Sequence, residues 1–88
     1  MQKGLTSAQI RAARALIRWR AEDLARASEV GVATIRRAEL AETITTMTAV
    51  NDSAVRHALE SAGVEFIEEN GGGPGVRLRK RQRPKKQK

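Results

Sequence analysis

The stretch AEDLARASEVGVATIRRAE, residues 21–39, decides how the chain is read. It divides into two short helical segments, 21–28 and 32–39, around the turn Glu29-Val30-Gly31. Leu24 is the core residue of the first segment, and the small Ala25 lets the second come close. Ile35 and Ala38 face inward from the second at helical spacing, and Val30 points in from the turn. Gly31 falls at the N-cap of the second segment, a position glycine tolerates. Val32, Ala33, Thr34, Arg36 and Arg37 are then left on outer faces. Two helices meeting steeply through a tight turn make a unit whose second helix has the dimensions of the DNA major groove. The plainer alternative is an amphipathic pair with solvated arginines.

Working outward, residues 7–19 read as a first helix. Thr6 can cap it, Gln9 completes a capping box, and Leu5 with Ile10 forms a hydrophobic staple. Ile10, Ala13 and Ile17 share one face, while Arg14 falls on the edge of that apolar stripe. An arginine there requires a partner, because an unpaired buried charge is costly. Residues 40–50, LAETITTMTAV, read as an irregular connection whose Leu40, Ile44 and Met47 can plug the core. A fourth helix is expected from Asn51 or Asp52 to Gly63, with Val55, Ala58, Leu59 and Ala62 inward and His57 facing solvent. Beyond Gly63 the period changes to two. Val64 and Phe66, then Val76 and Leu78, flank a glycine-rich loop and mark a β-hairpin. Its acidic first strand and basic second strand favour pairing across the strands. The loop is not a phosphate-binding P-loop: it lacks the lysine and hydroxyl of that motif, and no helix follows it.

Charge is unevenly distributed along the 88 residues, whose net charge is +7. Residues 79–88 hold seven bases and no acid: Arg79, Lys80, Arg81, Arg83, Lys85, Lys86 and Lys88. Residues 1–37 carry eight bases against three acids, and residues 38–78 carry two against seven. A polyanion is attracted to one side of such a body and to the tail; the plainer role of the tail is a solubilising end. With no cysteine and one histidine, thiolate metal sites, disulfides and a histidine-based triad have no ligands to draw on. No apolar run approaches membrane-spanning length and no signal peptide opens the chain, so a cytoplasmic, nucleoid-associated protein is expected. Dimer burial would help so small a core.

The segment LTSAQIRAARALIRWRAEDLARASEVGVATIRRAE, residues 5–39, resembles the helix-turn-helix family of phage repressors, Cro proteins and xenobiotic-response-element (XRE) type bacterial transcriptional regulators. The resemblance extends over about residues 5–62, and the ending GVEFIEENGGGPGVRLRK is similar to the tail of small bacterial members. It implies a mostly α, lambda-repressor-like bundle of four to five short helices, here with a C-terminal β-hairpin and a basic tail. The chain would divide into a DNA-binding domain (1–63), a hairpin offering a dimer contact (64–79) and a disordered basic tail (80–88). By position, Val32, Ala33 and Arg37 match residues that reach base edges. Arg20, Ala21, Thr34 and Arg36 match residues near the DNA backbone, and Arg14 with Glu39 matches an internal salt bridge. Departures are plain: Ala21 stands where the family usually has glutamine, Arg20 where it has a capping serine, and Glu29 where a positive φ favours glycine.

The expected function is therefore sequence-specific binding of double-stranded DNA by a homodimer on an inverted repeat, with no cofactor and no metal. An antitoxin-like protein that also holds a protein partner is the alternative. RNA binding is disfavoured because Trp19 and Phe66, the only aromatics, read as buried. Enzymatic activity is disfavoured because no nucleophile–base pairing is suggested.

Overall fold

The first helix ends where its backbone turns left-handed. In the computed structural model, which describes residues 4–79, α1 spans Ser7–Ile17 and Arg18 follows at φ 60°. The Trp19 N–H then reaches back to the Arg14 carbonyl at 3.0 Å, a Schellman-type closure. Helix 1 is thus shorter than the 7–19 expected, because its last two residues satisfy its carbonyls rather than extend it. At the other end the capping box forms: the Gln9 N–H donates to the Thr6 hydroxyl and the Thr6 N–H to the Gln9 side chain, each at 3.0 Å. Leu5 and Ile10 are both buried beside it.

Helix α2 is Ala21–Ser28 and α3 is Val32–Glu39. Between them Glu29 adopts φ 61° and its N–H donates to the Ala25 carbonyl at 2.8 Å. A left-handed glutamate costs about 1 kcal/mol relative to glycine. Gly31 is the N-cap of α3, but at φ −58° it uses none of glycine's freedom. Helix α4 is Ala49–Ser61. It begins two residues before Asn51, because the Thr48 hydroxyl takes the Asn51 N–H at 3.1 Å and caps the helix instead. Asp52, relieved of capping, turns its carboxylate to the N-terminal segment and accepts the Leu5 N–H at 3.1 Å.

That bond is part of a seam between the N-terminal segment and the 40–48 connection. Thr6 and Ile44 form an antiparallel bridge. The Ser7 N–H donates to the Thr43 carbonyl at 2.8 Å, and the Thr45 N–H to the Leu5 carbonyl at 3.1 Å. Extended pairing alternates side chains, so Thr45 turns inward while Ile44 is turned out and half exposed. Leu40 is 82% exposed. The core plugs expected from Leu40 and Ile44 are therefore absent; of the three residues only Met47 packs against the core.

Strands β1 (Val64–Ile67) and β2 (Gly75–Leu78) pair antiparallel with Glu65 opposite Arg77 and Phe66 opposite Val76. A two-stranded ribbon is marginal alone, and this one leans on the helices. Gln9 of α1 donates to the Gly75 carbonyl at 3.1 Å, and the Arg79 N–H closes on the Gly63 carbonyl at 2.8 Å. One core joins all the elements, built from Leu5, Ile10, Leu24, Ile35, Val55, Leu59 and Val64, each at most 1% exposed. The protein is thus mostly helical, with four helices and one small hairpin among its described residues. No helix of these residues is long and apolar enough to cross a membrane. The expected basic tail, residues 80–88, lies outside the described residues.

Candidate nucleic-acid interface

Helix α3 is tied to the core by Ile35 and Ala38 and turns Ala33, Arg36 and Arg37 to solvent. Ala33 with Arg36 and Ala33 with Arg37 are spaced three and four apart, so they share one side of the helix. Val32 departs from the sequence expectation. Its side chain packs partly against the core and is only half available to an outside partner, since the first turn of α3 abuts the turn after α2. Ala21 departs further. Its methyl is buried at 8% exposure within the core, so it offers no side chain to a phosphate. Its backbone N–H is a first-turn donor with no acceptor within the helix.

The arginines differ in what they already hold. Arg36 donates to the Glu22 carboxylate of α2 at 2.5 Å, with both side chains well exposed. Arg20, at the N-cap of α2, lies 4.0 Å from Asp23, and Arg26 pairs with the same Asp23 at 2.6 Å. Asp23 also accepts the Arg20 N–H at 2.8 Å, which supplies the cap that an arginine side chain cannot. The Glu22 carboxyl is held below the usual glutamate range, first by its own backbone N–H at the helix start and then by Arg36. The Arg37 side chain makes no hydrogen bond or ion pair among the described residues, although its carbonyl accepts the Leu40 N–H.

Arg37 instead borders a small cleft of about 190 Å³ between α3 and the start of α4. Thr34, Thr46, Thr48 and Asn51 supply hydroxyls and an amide to its walls, and Met47 an apolar flank. The start of α4 borders it through Thr48 and Asn51, although the Asn51 N–H is already taken by the Thr48 hydroxyl. A guanidinium, hydroxyls and a helix start around one cleft favour an anion such as a phosphodiester. Sequence reading singled out Thr34 and Arg37 but missed Thr46, Thr48 and Asn51. The signal that could have found them was the run of threonines at 43, 45, 46 and 48, just ahead of a helix.

Arg14 and Glu39 meet between α1 and α3, with Nε to Oε2 at 2.7 Å and Nη2 to Oε1 at 2.8 Å. Arg79 is the one tail residue described, and its guanidinium donates to the Glu60 carbonyl at 2.8 Å on the opposite end of α4. A larger cavity of about 380 Å³ lies between the N-terminal segment, α4 and the hairpin, over Phe66 and Arg56. None of its walls belongs to α2 or α3, and it mixes acids, one base and apolar surface without a convergent polar set. Trp19 and Phe66 are half-buried and packed on the core, so neither forms an open stacking platform. His57 is exposed, and the described residues bring together no group of three metal-ligating side chains. No known protein family matches the chain, and no curated protein matches it.

Proposed function

We propose that this chain is a sequence-specific, double-stranded DNA-binding regulator of transcription, of the helix-turn-helix kind found in phage repressors, Cro proteins and XRE-type regulators. The α2–turn–α3 pair is its DNA-reading unit. Helix α3 enters the major groove, and the protein acts in the cytoplasm on the nucleoid as a homodimer on an inverted repeat. One observation carries this reading: Arg37 stands uncommitted on the outer side of α3, beside Ala33 and next to a hydroxyl-lined cleft sized for a phosphate. Arg37 then contacts guanine, the methyl of Ala33 meets a thymine methyl, and Thr34 with the cleft holds the adjacent backbone. Arg20 and Arg36 add charge along the same strand. The basic residues after Arg79 contribute a sequence-independent attraction.

Selection of bound fragments from random duplex DNA at near-physiological salt tests the proposal. The expected product is a palindromic motif with half-sites about 10 base pairs apart, or a multiple of that spacing. Enrichment of nothing, or of single-stranded RNA in a parallel selection, overturns it.

A further inference from the structure

Glu22 has no structural duty that its neighbour Asp23 does not already perform. Asp23 closes the start of α2 through the Arg20 N–H and binds Arg26. Glu22 projects from the same turn, stays exposed, and commits its carboxylate to Arg36 of α3, fourteen residues away. An exposed ion pair of this type contributes little to stability. Its consequence is for charge. Two adjacent arginines stand on α3, and one of them is already neutralised from across the turn.

We infer that Glu22 is an internal competitor for DNA: its carboxylate occupies the guanidinium face of Arg36 that a backbone phosphate would otherwise take. The inference rests on the DNA-binding reading above. Both ligands of Arg36 are oxyanions that accept from the same N–H donors, so binding exchanges one for the other. The exchange releases less than a new contact does. Arg36 is therefore the weaker of the two arginines toward any duplex. Sequence-independent affinity is held down, while Arg37, which has no such competitor among the described residues, keeps its full contribution. The ratio of specific to non-specific binding, which decides occupancy among many competing sites, rises accordingly.

The test compares the full chain with Glu22→Gln, Arg36→Ala and the double variant. Each binds a random-sequence duplex and the selected site over a range of salt. Glu22→Gln is expected to bind the random duplex about three- to tenfold tighter at about 0.1 M salt. Its log affinity should also fall more steeply with log salt, by about 0.9, the slope of one further phosphate contact. In the Arg36→Ala background the same change should have no effect, because the competed group is gone. An unchanged affinity and slope for Glu22→Gln overturns the inference, and so does a gain that survives Arg36→Ala, since that is direct repulsion by Glu22. Unfolding midpoints of all four proteins exclude a folding effect. If the wild-type chain binds neither duplex, the DNA-binding reading falls and this inference with it. If it binds and Glu22→Gln is unaltered, only the inference falls.

Discussion

Arg14 and Glu39 form a two-pronged ion pair that locks the last turn of α1 to the last residue of α3. Arg14 also donates to the Trp19 carbonyl at 2.9 Å. The Arg14 guanidinium is held above its ordinary range, chiefly by the hydrogen bond to Glu39. A raised arginine contributes stability that is fully present below its unfolded value and lost only at still higher pH, so this contact is constant across physiological pH. The two partners are unequally enclosed, with side-chain exposures of 22% for Arg14 and 10% for Glu39.

That inequality makes a prediction. Arg14→Ala strands a carboxylate that is nearly buried and should cost about 3 kcal/mol. Glu39→Ala leaves an arginine that is better solvated and still bonded to Trp19, and should cost about half as much. Replacing both by Met and Leu should come within about 1–2 kcal/mol of the wild type. Urea unfolding of the three variants checks the order; equal losses for the two single variants would refute it.

The turn after α2 stores strain at Glu29. Glu29→Gly should stabilise the protein by about 0.5–1 kcal/mol, the relief of a left-handed side chain less the entropy glycine loses on folding. Gly31→Ser should add about 0.5 kcal/mol, because the N-cap backbone already suits a side chain and an added Cβ meets nothing nearer than 4.0 Å. Thermal unfolding reads both, with about 2–6 °C expected per variant.

Within the proposed interface, Arg37→Ala should lose about 1–3 kcal/mol on the selected site and much less on random duplex. Thr46→Val, in the cleft wall, should weaken every duplex alike and by less than tenfold. Removal of residues 80–88 should flatten the salt dependence for all sequences. Fluorescence anisotropy with matched specific and random duplexes distinguishes the three patterns. Equal losses on both duplexes for Arg37→Ala would remove its base-reading role.

In the hairpin, the Arg77 guanidinium donates to Glu65 at 3.1 Å and holds that carboxyl below the usual glutamate range. A depressed carboxyl stabilises above its unfolded value and loses that contribution as pH falls through the lowered one. The strand pairing should hold at neutral pH and loosen only below about pH 4.3. A carbon NMR titration should find the Glu65 midpoint beneath that value, and Arg77→Gln should bring it up. Coincident midpoints in the two proteins would show the pair to be idle in solution.

Much of the architecture was legible because its causes are local. The capping box of Thr6 and Gln9, the limits of α2 and α3 and the pairing of an acidic with a basic strand depend on residues close in sequence or on a two-residue period, whereas the left-handed Glu29 was anticipated only through the family resemblance. The inward positions of Ile35, Ala38, Val55 and Leu59 follow from helical spacing alone. The Arg14–Glu39 pair, 25 residues apart, was anticipated only through the family resemblance; local pattern showed no more than an arginine in need of a partner.

What sequence alone determined about this protein is its set of helices, its hairpin and the arginines of α3, since neighbours within a few residues dictate each. Tertiary structure alone decided how those arginines are committed. Thr48 caps α4, which frees Asp52 to hold Leu5 across 47 residues, and folding brings the threonines of the connection beside Arg37. Glu22 reaches Arg36 only because the turn brings α2 against α3. Contacts of that range are formed by chain closure and packing, and no local periodicity encodes them.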